Sequence, residues 1–317
     1  MGGIRCGWAA LYLAIGLALA ARGADAVVVF SDDFESDVAS ISSRWGDATS
    51  TGISLASDVP SSSPGRKSLQ LDAGLGKSAL LYHRLPQNYD RLFYRYYVKY
   101  GGTEYHHAGG MIGGYDPPTN WPQGDAGLKG VRDNGDRLVV VSLETQSNRL
   151  DTYNNWIDMQ GATYQGLYYG RNMLQDLNLA VPNQWTCVEV MVALNTPASA
   201  NNGELTVWLN GNEVASFRPG TPNGYWDGAG NWRIRTGSPP FGGFRWRDTT
   251  SLGLNWVKVQ NFDATPRVWF DDVTVATERV GCLPEPGPTG SLACGVILVA
   301  ALARRSRGRT RSATPDL

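Results

Sequence analysis

The chain has 317 residues, 42% of them hydrophobic and 18% charged, with 28 basic and 29 acidic side chains. Setting aside the seven arginines and two aspartates of the terminal stretches (Arg5, Arg22, Arg304, Arg305, Arg307, Arg309, Arg311, Asp25 and Asp316) leaves 21 basic against 27 acidic. That acidity excludes recruitment to nucleic acid or another polyanion by global field, so an acidic ligand must meet a local basic patch.

At the N-terminus Arg5 precedes an apolar stretch from Trp8 to Ala21, and Ala24-Asp25-Ala26 offers small residues where a signal peptidase cleaves. Residues 1–26 are therefore expected to be a secretory signal, the apolar stretch being shorter than the ~20 residues of a membrane span. Residues 27–280 suit one large β domain. Val27 to Phe30 reads as a short strand running into the acidic turn Ser31 to Asp37, and Ser31 to Asp58 as loop and short strand. Lys67 to Ala73 alternates with Leu69 and Leu71 inward, and Ser78 to Leu85 is its expected partner strand.

Asp90 to Tyr100 is the most aromatic strand. Phe93, Arg95, Tyr97 and Lys99 share one face, and Leu92, Tyr94, Tyr96, Val98 and Tyr100 the other, a pattern expected mid-sheet with the cationic-aromatic face toward a ligand. Thr103 to Tyr115 holds His106 and His107 beside the glycine pairs 109–110 and 113–114, which allow close backbone approach. Pro117 to Gly135 reads as loop, Arg137 to Glu144 as strand, Asn148 to Gly166 as a long loop and Leu167 to Met173 as strand. No helical period of useful length is apparent.

The clearest signal is the segment from Gln184 to Phe217. Thr186, Val188, Val190 and Val192 fall on alternate positions, Glu204 to Leu209 alternates again, and Asn210-Gly211 supplies the positive φ values of a tight turn. Val188, Val190, Val192, Leu205, Val207 and Leu209 are expected to face the core. Leu252 to Gln260 and Arg267 to Thr277 close the domain. The phrase NGELTVWLNGNEVASF resembles the corresponding hairpin of concanavalin A-like domains, which implies an all-β, two-sheet antiparallel jelly-roll sandwich.

The C-terminal residues 281–317 comprise Cys282-Leu283-Pro284-Glu285-Pro286, an apolar run from Leu292 to Ala303 and the arginine cluster. This order resembles a PEP-CTERM sorting tail of Gram-negative bacteria, which implies export and sorting machinery as partners and display outside the cell. A C-terminal membrane anchor held by the arginines is the alternative. Cys187 and Cys282 are the cysteines of residues 27–284 and could form one disulfide in an oxidising compartment. The other reading is a buried thiol at Cys187 and a processing or lipidation role at Cys282.

No nucleophile elbow, phosphate loop, zinc pair or dinucleotide fingerprint is present, so no organic cofactor is expected. Glu144 has no acidic partner on its strand, which disfavours glycoside hydrolysis. The ordered set HHAGGMIGGY, a strand ending in Glu144, NQWTCVEVMVALNTP, GELTVWLNGNEV and WFDDVTVAT is similar to secreted jelly-roll polysaccharide lyases of the alginate and glucuronan types. Those lyases often carry a lysine beside the paired glycines, where this chain has Ala108 and Met111.

The resemblance implies β-elimination on an acidic polysaccharide, which needs a carboxylate neutraliser, a base and an acid. The chain offers Arg95, Arg132 or Arg171 as neutraliser, His107 in preference to His106 as base, and Tyr169 or Tyr168 as acid. Tyr97, Trp232 and Arg245 join them as expected sugar contacts. Lectin-like binding without chemistry is the competing reading, because loop tryptophans and the arginines near 233–247 can hold sugar acids unaided. In a jelly roll the first and last strands are neighbours, so Asp33, Glu35 and Asp272 are expected to meet around a structural Ca²⁺. Solvated acidic turns are the plain alternative.

Overall fold

The computed structural model describes residues 26–103, 106–123, 134–146, 149–159, 163–164, 167–168, 170–174, 181–227, 232–235, 237–264 and 266–284. In chain order the elements are β1 (Val28–Asp32), α1 (Val38–Trp45), β2 (Asp47–Ala48), β3 (Ile53–Ala56), β4 (Ser68–Leu71), β5 (Gly74–Tyr89), β6 (Arg91–Tyr100), β7 (His106–Tyr115), β8 (Leu138–Gln146) and β9 (Arg149–Asn154). They continue with β10 (Thr163–Tyr164), β11 (Leu167–Tyr168), β12 (Trp185–Ala193), β13 (Glu204–Leu209), β14 (Asn212–Phe217), β15 (Gly224–Trp226), β16 (Trp232–Ile234), β17 (Leu254–Ala264) and β18 (Val268–Ala276). No helix among the described residues is long and apolar enough to cross a membrane.

Two antiparallel sheets form a jelly-roll sandwich. The larger runs β14-β13-β12-β6-β18-β4-β3 with β1 also on β18, and the smaller runs β2-β5-β17-β7-β8-β9. Alternation decides which side chains lie between them. Val188, Val190, Val192, Leu205, Val207 and Leu209 from the larger sheet meet Leu81, Ile112, Val139, Val141, Leu143, Val257 and Val259 from the smaller, all at most 5% exposed. As expected, the first and last strands pair.

Three expectations are corrected. The stretch read as loop after β1 contains helix α1: the Asp37 carboxylate accepts from the Ser40 backbone N–H at 2.9 Å, and Ile41 and Trp45, four apart, bury one side of the two-turn helix. β5 does not pair with β4; its leucines pack from the opposite sheet, where β17 and β2 are its partners. The 148–166 stretch begins with a true strand, β9, on the edge of the smaller sheet.

The outer face of the larger sheet is covered rather than open. After β18 the chain doubles back as a strap. Glu189 accepts from the backbone N–H of Val280 at 2.9 Å and from that of Gly281, Cys282 is disulfide-bonded to Cys187 with Cα atoms 6.0 Å apart, and the Leu283 N–H donates to the Tyr97 hydroxyl at 2.8 Å.

Candidate functional site

Directly opposed residues in neighbouring strands share a face, so the register of the smaller sheet fixes its outward rows. One row is Leu80, Gln260, Gly109, Glu144 and Asp151; the next is Tyr82, Lys258, Met111, Ser142 and Tyr153; a third begins Arg84, Trp256, Gly113 and Val140. Half of this face is sealed. Tyr82, Tyr115 and Trp256 stack together, and the 116–123 segment closes over them through the bonds Tyr82 Oη to the Thr119 carbonyl at 3.0 Å and Gln123 N–H to Tyr115 Oη at 3.2 Å. The other half carries His107, Glu144, Lys258, Gln260 and Tyr153, and this is the candidate active site.

His107 owes its position to a bulge. Gln146 pairs with His106 and Thr145 with Ala108, so His107 is the extra residue, with φ at +57°. A positive φ in a non-glycine residue costs on the order of 1–3 kcal/mol and persists where the surroundings impose it; bulges commonly re-aim a side chain. Here the His107 carbonyl accepts from Gln260 Nε2 at 2.9 Å, its ring meets the Tyr153 ring edge-on at 4.9 Å, and its Nδ1 is hydrogen-bonded to Glu144 Oε1. Gly109, at φ +158°, lets β7 lie tight on β8 beside Glu144, since a Cβ there would fall 2.2 Å from the Leu143 carbonyl oxygen.

Glu144 is 1% exposed, and its Oε2 has no hydrogen-bond partner among the described residues. A carboxylate so placed holds the Nδ1 proton on His107, which leaves Nε2 as the lone-pair nitrogen of the neutral ring. Lys258 stands in the adjacent row. Burial lowers its pKa to about 8, against the nearby Glu144 charge, which raises it. An ammonium poised near neutrality beside a hydrogen-bonded histidine can carry charge to, or exchange protons with, an acidic ligand.

Asp151 opposes Glu144 on β9 and organises the segment beyond it. Its Oδ1 accepts from the backbone N–H of Met173 at 3.0 Å and Leu174 at 2.8 Å, and burial pushes its pKa up to about 6. Gly170 thereby packs on the Tyr153 ring, where a Cβ would come within 2.4 Å.

The residues expected from sequence divide by location. His107 lies at this site. His106 opens β7, but its side chain is outside the described residues, as are Arg132, Tyr169 and the Tyr168 side chain. Arg171 bridges Asn154 through the backbone and stacks its guanidinium on Trp226 at 4.5 Å, on the interior side of β9 rather than beside His107. Arg95 and Tyr97 lie on the other sheet, beneath the strap; Arg95 donates to Thr274 at 2.7 Å. Trp232 is 3% exposed against Trp226 and Phe217, so it presents no face to a sugar. Arg245 is ion-paired with Asp248. Lys258, Gln260 and Tyr153 were not expected from sequence, although the alternation of Trp256, Lys258 and Gln260 against Val257 and Val259 already puts the first two on one polar-aromatic face.

The acidic turns do come together. Asp33, Glu35, Arg44 and Asp272 line an open depression, and Asp271 is buried next to Asp272 at the bulge in β18. Burial and the neighbouring Asp272 charge push the Asp271 pKa up to about 8, and among the described residues Asp271 Oδ2 and Asp272 Oδ2 are buried without hydrogen-bond partners. Hard oxygens of this kind suit Ca²⁺. Glu35 Oε1, however, already accepts from the backbone N–H groups of Arg66 and Lys67 at 2.6 and 2.7 Å. Among the described residues no three carboxylate, imidazole or thiol groups converge closely enough to hold a metal ion.

No protein-family model matches the chain, and no curated relative does. Among solved structures, alginate lyase vAL-1 from Chlorella virus aligns with 80% of this chain and 100% of its own length, at a TM-score of 0.50 and 11% identity. The alginate lyase Aly36B, solved as a mutant in complex with an alginate trisaccharide, aligns with 80% of this chain and 98% of its own at 0.47 and 10%. A cellulose-induced protein, Cip1, aligns with 80% and 99% at 0.45 and 15%. At 11% identity the likeness to vAL-1 is one of fold alone.

Proposed function

We propose that the protein acts on an acidic polysaccharide by β-elimination, and the observation that carries this reading is the His107–Glu144 pair beside Lys258 on the other half of the smaller sheet's outer face. The Lys258 ammonium neutralises a uronate carboxylate, so the adjacent C–H becomes acidic. His107 Nε2 takes that proton, the released electron pair forms a carbon–carbon double bond, and the glycosidic C–O bond breaks. Tyr153, edge-on to His107, protonates the leaving oxygen. Lys258 thus fills the neutralising role that the sequence alone assigned to arginine. It is directly opposite Met111, one of the two residues flanking the glycine pair beside which the resembling lyases often carry lysine.

The second reading is lectin-like binding, favoured by Trp121, which is 59% exposed on the segment that seals the aromatic half of the face. Elimination conjugates the new double bond with the carboxylate, so ultraviolet absorbance separates the two. Incubation with alginate, glucuronan, pectate and glycosaminoglycans should raise absorbance with at least one polymer. Retention by a polymer without any rise would favour the lectin reading.

Export and surface attachment belong to the same proposal, together with a Ca²⁺ at the acidic depression. The strap disulfide supports an oxidising compartment. The buried Oδ2 atoms of Asp271 and Asp272 support the cation, whose remaining ligands would have to be other than a third carboxylate. The signal and sorting segments lie outside the described residues.

A further inference from the structure

The alternation of β17 continues past the candidate site. Trp256, Lys258 and Gln260 face outward, and the next residue of that face is Phe262, paired with Ser78 on β5. Trp256 is 1% exposed under the sealed half, whereas Phe262 is 40% exposed. Its ring centroid lies 6.2 Å from that of His107, tilted by 49°. Its direct partner on β5 is the small side chain Ser78. At 40% exposure the ring keeps apolar surface in solvent beside the polar site, where a ligand could cover it.

We infer that Phe262 is the stacking platform for a sugar ring in the subsite next to His107, and that the glycan runs along β17. The inference rests on the proposed action on a polysaccharide and adds a binding residue and a direction to it. A pyranose ring presents an apolar C–H face that an aromatic ring matches, and a ring seated on Phe262 places its neighbour in the chain over His107 and Lys258. From Phe262 to Trp256 the strand advances six residues, about 20 Å at ~3.4 Å each, enough for several linked sugars. The opposite end of that line is closed by the 116–123 segment, held where Arg84 Nη1 donates to Asn120 at 3.0 Å, and Trp121 follows directly in that segment with its indole exposed. Two aromatic residues therefore bracket the row that carries Lys258 and Gln260.

The test is affinity electrophoresis of the full chain through gels containing alginate or glucuronan, for wild type, Phe262→Ala, Phe262→Trp and His107→Gln, alongside elimination kinetics. Phe262→Ala should weaken retention about three- to tenfold, as loss of one aromatic stacking contact does, and raise KM with kcat little changed. Phe262→Trp should restore both, and His107→Gln should keep retention while losing turnover. If Phe262→Ala is retained as strongly as wild type on a polymer that wild type binds, the subsite assignment is overturned and the reading of the site stands. If wild type is neither retained by nor active on any of the uronate polymers, the reading itself falls and the subsite with it. Melting temperature of Phe262→Ala should match wild type, since the ring is partly exposed.

Discussion

His107 Nδ1 and Glu144 Oε1 are hydrogen-bonded across β7 and β8, and that bond is the one described partner of a carboxylate that is 1% exposed. Removing the imidazole outright would leave a buried charge without a donor, at a cost on the order of 1–3 kcal/mol. His107→Gln keeps a donor for Glu144 and is the cleaner probe. It should fold with a melting temperature near wild type and lose about 10²- to 10⁴-fold in kcat, the range of a general base, with KM little changed. Turnover within a factor of two of wild type would remove His107 from the chemistry.

Lys258 sets the alkaline limit. With its pKa at about 8 in the folded chain, and the ammonium as the working form, activity should fall as pH rises through about 8. Lys258→Arg stays protonated and should move that limb upward by more than one pH unit. The stability sign is the opposite of a salt-bridged lysine. The folded value lies below the ordinary 10.5, so the unfolded chain binds the proton more tightly between about 8 and 10.5, and stability gains with pH across that window. Lys258→Met should therefore be more stable than wild type at pH 7 by thermal melting. A profile with the same alkaline limb in wild type and Lys258→Arg would assign it to another group.

The strap separates stability from activity. Cys187 and Cys282 are 95 residues apart in sequence, and constraining a loop of that length contributes on the order of 2–4 kcal/mol. Replacing both by Ser should lower Tm by roughly 5–15 °C. The strap lies on the outer face of the larger sheet, so elimination activity below the new Tm should be retained. Equal Tm for oxidised and reduced protein would show that Glu189 and Tyr97 hold the strap without the disulfide.

The acidic depression gives a pH and chelator signature. Asp271 binds its proton more tightly in the folded chain than in the unfolded one, so without a cation stability is lost as pH rises from about 4 through about 8. A bound Ca²⁺ offsets the like charges, and EDTA should lower Tm most at pH 8. Asp271→Asn should lessen the pH dependence. A Tm indifferent to EDTA and to Ca²⁺ at pH 8 would dismiss the cation.

Much of the sandwich is legible in the chain. The Val188 to Leu209 alternation and the Asn210-Gly211 turn specify β12 to β14 and their buried face, because one-sided burial and a tight turn leave period-two traces. Helix α1 escaped because eight residues with two inward side chains are too few for a 3.6-residue period, and its Asp37 cap reads in the sequence as part of an acidic turn. The two faces of β6 were also readable, but not which of them would be covered; that depends on a strap which returns to Tyr97 from Leu283. Lys258 was hidden for the converse reason. Its strand looked like a closing core strand, and only the register against Met111 and Tyr82 puts it beside Glu144. Arg171 was placed by residue type, which carries no information about the side of β9 it would occupy.

The most direct test is ultraviolet absorbance of alginate, glucuronan, pectate and glycosaminoglycan solutions after addition of wild type, His107→Gln and Lys258→Met at pH 7. The account predicts a rise with wild type on at least one polymer and a rate at least about 10²-fold lower for each variant. An equal rise with wild type and both variants would contradict the assignment of the chemistry to this face of the smaller sheet.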